Sequence, residues 1–265
     1  MSLLKIDVEK VSQLLIEVSD EIILPRHKKL DLSDIKEKDF GELTTVADME
    51  SESFLSQRLC DLLPGSHVIG EEASYKRNDL FNLLNNDSPV WIIDPIDGTH
   101  NFTKGSDIFA VIIALVISGN TLAGWIYEPI SKKIAHGEQG SGAYINHKKV
   151  ELVINKSAHK YDGTAANYLY DIVKQDELQI GEVNKPTCAG HEYIQLLESI
   201  ISFTAYTRLR PWDHVAGSFL ISESGGVSAL VDRREYNSMT TEGNLLSALD
   251  YDIWNHIVSL IEKNN

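Results

Sequence analysis

Helical and strand-type periodicities alternate along this chain in a way that predicts a layered α+β body, and three observations carry that expectation. Apolar residues near the N-terminus recur at helical spacing, the stretch from 68 to about 152 breaks into short β-type runs, and helices and strands mix again to the C-terminus. No internal repeat and no Pro- or Ser-rich linker interrupts the pattern.

Val11, Leu14, Leu15, Val18 and Ile22 fall on one face of a first helix, which Pro25 closes. Residues 26–44 are polar and weakly patterned, with Lys36, Lys38 and Gly41, and read as a long mobile loop of the kind that often serves a site. A second helix is expected to start near Thr45 to Asp48, to turn Phe54, Leu55, Leu59 and Leu62 inward, and to stop at Pro64-Gly65. Residues 68–69, 90–93, 109–117, 122–127, 133–136 and 143–145 then read as strands. Gly119-Asn120, Glu128-Pro129 and Gly140-Ser141-Gly142 supply turn chemistry between them, so the expected topology is an antiparallel meander. Further on, the pattern gives a helix near 191–200, a strand near 201–207, a helix from 213 to about 223, a strand at 227–231 and a last helix at 250–262. The expected division is an N-terminal α+β part, residues 1–152, with two helices on an antiparallel sheet, and a C-terminal α/β part, residues 153–265, packed tightly on it.

Composition limits the function. At 43% hydrophobic and 24% charged the chain is ordinary globular protein, which excludes a fibrous or disordered reading. Twenty-four Lys and Arg against 39 Asp and Glu give a net charge of −15, which disfavours nucleic acid and anionic membranes as partners. A small anion remains possible if metal cations accompany it. Cys60 and Cys188 are too few for a disulfide scaffold or a thiolate zinc cluster and suit a reducing compartment. The segment Met1 to Asp7 lacks the apolar stretch of a secretory signal, and a cytoplasmic location is expected.

The chemistry concentrates in the run from Trp91 to Phe102, Trp-Ile-Ile-Asp-Pro-Ile-Asp-Gly-Thr-His-Asn-Phe. A buried strand delivers Asp94 at its end, Pro95 fixes the turn, and Asp97 returns three residues later, so two carboxylates can face one point. Gly98 and Thr99 lead into a helix start, where free backbone N–H groups favour an anion. Carboxylates and an anion share a site only with cations present, and a hard divalent ion such as Mg²⁺ takes oxygen ligands and bridges to phosphate. Gly70-Glu71-Glu72 follows another short β run, and Asp213 follows Arg210-Pro211-Trp212; taken alone, Asp213 reads as the N-cap of its helix. His191-Glu192 lacks the second His of a helical zinc motif, and no Gly-rich loop ends in Lys-Ser or Lys-Thr, so zinc-protease and ATP-binding readings are unsupported.

Gly70-Glu71-Glu72, the run from Trp91 to Phe102, and Trp212-Asp213 with Ala216-Gly217 before Glu223-Ser224-Gly225-Gly226 together resemble the inositol monophosphatase family of Mg²⁺-dependent, lithium-sensitive phosphatases, in a form similar to bacterial members. The resemblance runs from about residue 40 to the C-terminus and implies the layered αβαβα sandwich of the sugar phosphatases. It implies two or three Mg²⁺ ions: Glu71, Asp94 and the Ile96 carbonyl on the first, Asp94, Asp97 and Asp213 on the second, and Glu71 with waters on a weaker third. Thr99, paired with Asp48, would orient the attacking water alongside Glu71, and the backbone N–H groups of Gly98 and Thr99 would hold the phosphate. The resemblance also implies direct attack by water, and a homodimer. Tyr206 stands where inositol-specific members often carry a Glu that contacts ring hydroxyls, with Arg208 and Arg210 beside it. Cys188-Ala189-Gly190-His191-Glu192 occupies the place of a Gly-Thr-Ala stretch near the substrate ring, which puts Gly190 and His191 on the substrate wall.

The expected substrate is therefore inositol monophosphate or a similar polyol phosphate. A sugar bisphosphate or a nucleotide 3′-phosphate is the second reading, with Arg208 or Arg210 holding the further anion. A metal-binding regulatory protein with little turnover is the third, and the intact set Glu71, Asp94, Asp97, Thr99 and Asp213 speaks against it.

Overall fold

The run Ala110–Ile117 is too uniformly apolar to have a wet face, and in the computed structural model, which describes residues 6–38, 41–154 and 160–264, it is an interior strand buried on both sides. In chain order the first half comprises α1 (Val8–Val18, continued by a π-helical turn, Ser19–Ile23), β1 (Ile35–Glu37), β2 (Leu43–Thr45), α2 (Val46–Leu62), β3 (His67–Gly70), α3 (Glu71–Lys76), β4 (Val90–Asp97), α4 (Thr99–Thr103), β5 (Ala110–Ile117), β6 (Asn120–Glu128), β7 (Lys133–Glu138), β8 (Gly142–Ile145) and β9 (Lys148–Lys149). The second half adds β10 (Tyr161–Ala165), α5 (Asn167–Val173), β11 (Ile180–Asn184), α6 (Ala189–Leu197), β12 (Phe203–Tyr206), α7 (Pro211–Glu223), β13 (Val227–Leu230), β14 (Leu245–Ala248) and α8 (Tyr251–Lys263).

Two larger sheets form. One has seven strands in the order β3-β4-β5-β6-β7-β8-β9, and the other five in the order β11-β10-β12-β14-β13. Helices α1 and α2 cover one face of the first sheet, α6 and α7 fill the space between the sheets, and α5 and α8 pack together on the second, giving the αβαβα order. The period of two along the strands divides the core. Trp91 and Ile93 of β4 with Val111, Ile113 and Leu115 of β5 join Val11, Leu15, Leu55 and Leu59 of α1 and α2. Val90 and Ile92 with Ala110, Ile112, Ala114 and Val116 face the other way, toward Ala216 and Leu220 of α7 and on to the second sheet.

The structure corrects several sequence expectations. The meander holds from β4 to β9, but β3 pairs with β4 in parallel, because α3 and a 3₁₀ stretch (Asn78–Asn85) carry the chain back before β4 begins. The polar segment 26–44 is not wholly a loop: Ile35 to Glu37 pair with Leu43 to Thr45 as a short hairpin, although residues 39 and 40 lie outside the described residues. Residues 160–184 hold β10, α5 and β11, for which polar, Gly-containing strands gave no alternation to read. Asp213 is not the N-cap of α7. Arg210 is, Pro211 takes the first helical position it favours, and Asp213 sits in the first turn.

Candidate active site

Residues three apart on a regular strand face opposite sides of the sheet, so Asp94 and Asp97 should diverge. They converge because β4 carries one surplus residue. Asp94 is opposite Ile112 and Asp97 opposite Ala110, and this bulge, seated at Pro95, restores the phase. Asp94 Oδ1 accepts the Ile96 N–H at 3.0 Å, which fixes the turn. Gly98 follows with φ of +85°, a conformation that glycine adopts without strain, and swings the chain into α4.

Three more segments bring groups to the same place. The β3–α3 junction presents Glu71, the first turn of α7 presents Asp213, and the first turn of α2 holds Asp48, which is fully buried. Asp48 Oδ2 accepts the Thr45 N–H at 2.8 Å and the Thr45 hydroxyl at 2.5 Å in a capping box. Its other oxygen stands 3.2 Å from Thr99 Oγ1, which also lies 3.0 Å from the Ile96 carbonyl. Asp97 Oδ2 accepts the Gly190 N–H at 2.6 Å and the Cys188 thiol at 3.1 Å. Carboxylate oxygens of Asp94, Asp97 and Asp213 all lie within 4.8 Å of one another.

Crowded, buried acids hold their protons. Burial first, then the neighbouring carboxylates, lift Asp94 well above the usual carboxylate range, and burial lifts Glu71 and Asp213 to about 8 and Asp48 to about 6. Such a donor set fits a hard divalent cation, which would remove the mutual repulsion. One internal cation already approaches it. Lys38, 5% exposed, reaches from the end of β1 to place Nζ 2.9 Å from Glu71 and 2.6 Å from Glu72, and these carboxylates hold its ammonium above the usual range in spite of burial.

The acids line a cavity of about 360 Å³ together with Glu192, Tyr206 and Arg208. The Tyr206 hydroxyl donates to Glu192 Oε2 at 3.0 Å, and Glu192 Oε1 accepts the N–H groups of Thr187 (2.8 Å) and Cys188 (3.2 Å). Burial pushes Glu192 up to about 7. Arg208 pairs with Glu42 across the mouth, and its carbonyl meets Nε2 of buried His214 at 2.8 Å.

Of the residues singled out in the sequence, Asp48, Glu71, Asp94, Ile96, Asp97, Gly98, Thr99 and Asp213 come together, and Tyr206 and Arg208 line the same cavity. Three others do not take the places expected of them. His191 turns away, its Nδ1 bonded to Glu128, because α6 directs positions 191 and 192 to different sides. Gly190 touches the site only through its N–H to Asp97. The Arg210 guanidinium lies over the Trp212 ring, 5.6 Å from its centroid, in an adjoining cavity of about 260 Å³ that it shares with Glu42 and Glu71. Sequence reasoning missed the roles of Lys38, Glu52, Glu72 and His214. Only Glu52 carried a signal, standing one helical turn after Asp48.

Among the described residues no helix is long and apolar enough to cross a membrane. The family model described as the inositol monophosphatase family matches residues 5–255. A fructose-1,6-bisphosphatase/inositol-1-monophosphatase of Aquifex aeolicus is 27% identical over 236 residues, 85% of each chain. An inositol-1-monophosphatase of Bacillus subtilis is 29% identical over 203 residues, 72% of this chain and 74% of its own. The solved structure of a Thermotoga maritima IMPase superposes over 96% of both chains with a TM-score of 0.82 at 22% identity, which shows the same fold.

Proposed function

The chain belongs to the inositol monophosphatase family of metal-dependent phosphatases, and from that premise we propose that it hydrolyses a polyol monophosphate such as inositol monophosphate with Mg²⁺ at two or three positions. The observation that carries this is the meeting of Glu71, Asp94, Asp97 and Asp213 in one cavity with the Thr99–Asp48 pair beside them.

Asp94, Asp97, Asp213, Glu71 and the Ile96 carbonyl would hold the ions. When bound, Mg²⁺ would neutralise the acids and the phosphate and stabilise charge on the incoming and leaving oxygens. The protein's own groups do the rest. The Thr99 hydroxyl donates a hydrogen bond to Asp48, which turns an oxygen lone pair toward a water between Thr99 and Glu71. With the cations bound Glu71 is ionised, and it accepts that water's proton as oxygen attacks phosphorus. The N–H groups of Gly98 and Thr99 face the phosphate, and Tyr206 with Glu192 forms the wall that meets the substrate's hydroxyl groups. The working unit is taken to be a homodimer, as the family resemblance implies.

A second reading, a sugar bisphosphate, is favoured by Arg208 on the lining of the cavity, with Arg210 in the adjoining one, and by the name of the Aquifex relative, a fructose-1,6-bisphosphatase/inositol-1-monophosphatase. Phosphate release from inositol, sugar and nucleotide monophosphates and bisphosphates, with Mg²⁺, without it and with added Li⁺, tests both. Release from no ester at any Mg²⁺ concentration would sink the assignment.

A further inference from the structure

Glu71 and Thr99 must face the same water, yet they come from segments far apart in the sequence. One helix reaches both. Asp48 and Glu52 stand a turn apart on the buried side of α2, and Asp48 accepts from the Thr99 hydroxyl. Glu52, 7% exposed, extends to the start of α3 instead. Its Oε2 accepts the Glu72 N–H at 2.7 Å and its Oε1 the Ala73 N–H at 2.9 Å. Helix α3 has no side-chain cap of its own, since the residue before it is Gly70, so Glu52 supplies the acceptors these N–H groups lack, and without it the buried Glu72 N–H would lose its partner. Gly70 makes the contact possible: a Cβ there would lie 2.2 Å from Glu52 Cδ.

We propose that Glu52 is a positioning residue for the hydrolysis: by holding the backbone at 72 and 73 it sets the direction of the Glu71 carboxylate, as Asp48 sets that of Thr99. This rests on the reading of Glu71 as cation ligand and base. Glu52 touches neither substrate nor ion.

The test compares the parent chain with Glu52→Ala, Glu52→Gln and Gly70→Ala. The measurements are Mg²⁺ binding by calorimetry without substrate, amide hydrogen exchange at Glu72 and Ala73 in the metal-free protein, and turnover. In Glu52→Ala, Mg²⁺ binding should weaken about tenfold or more, both amides should exchange faster, and turnover should fall. Glu52→Gln keeps an acceptor oxygen and should recover part of each loss. Gly70→Ala should reproduce the loss with Glu52 intact. If Glu52→Ala does not melt cooperatively, the other two variants carry the comparison. Lowered melting temperature with parent-like Mg²⁺ binding and amide exchange would overturn the proposal and leave Glu52 a structural group. A parent chain that releases no phosphate would overturn the reading of Glu71 itself, an outcome the Mg²⁺-binding and amide-exchange measurements keep separate.

Discussion

Asp94 is the residue on which the site is centred, since burial and four acidic neighbours leave it the group most dependent on a bound cation. Replacing it with Asn removes charge but little volume. Turnover should fall roughly a thousandfold, on the order of 4 kcal/mol of transition-state stabilisation. Near-normal rates in a phosphate-release assay would remove Asp94 from the mechanism. Tyr206 should behave differently, because its hydroxyl is spent on Glu192 rather than on the acids. Tyr206→Phe frees one Glu192 oxygen toward the cavity and should change the order of preference among phosphate esters while Mg²⁺ dependence persists. Equal loss on every ester would remove it from the substrate wall. At this scale the sequence was informative where neighbours in the chain are neighbours in space: Asp94, Asp97 and Thr99 lie within six residues. Lys38 was not legible as a site residue, because its partners Glu71 and Glu72 are reached only through tertiary packing, whereas Glu52 stands one helical turn after Asp48.

The elements differ in how plainly they were written. Helices α1 and α8 carry apolar residues at helical spacing and were placed within a few residues of their bounds. Helix α7 is buried on nearly every side, so it shows little amphipathic pattern; the spacing of Val215, Ala216, Phe219 and Leu220 places it from 213, two residues inside its start at Pro211. Strands β10 and β14, five and four residues long, had too few positions to show alternation. The α6–α7 contact depends on a missing side chain, as a Cβ on Gly217 would lie 2.0 Å from Cδ2 of the buried Tyr193 ring. Gly217→Ala should therefore destabilise the chain by about 2 kcal/mol, or roughly 4–8 °C in melting temperature. An unchanged melt would mean that the two helices separate without cost.

Across the whole molecule, the cluster of raised acids makes stability depend on pH in an unusual direction. Above pH 6.5, Glu71 and Asp213 (about 8) and Glu52 and Glu192 (about 7) still hold protons in the folded chain that the unfolded chain has released. The folded state thus binds more protons, and stability must fall as pH rises toward 8. His191, raised by its bond to Glu128, acts in the same sense. His214 opposes only below its ordinary value of 6.5, because burial lowers it to about 4. In chelator, the melting temperature should drop between pH 6.5 and 8.5, and saturating Mg²⁺ should flatten the slope. A rise in chelator would show that the acids are not protonated in the folded chain.

The surplus residue in β4 also shapes how a chain of this kind can change over time. Point replacement alters what one acid does and leaves the others aimed as before. Straightening β4, so that the three-residue step from 94 to 97 lay on a regular strand, would instead turn the two acids to opposite sides of the sheet. Descendants can lose the ligands one at a time, but they cannot slide the pair along the strand by one position and keep it.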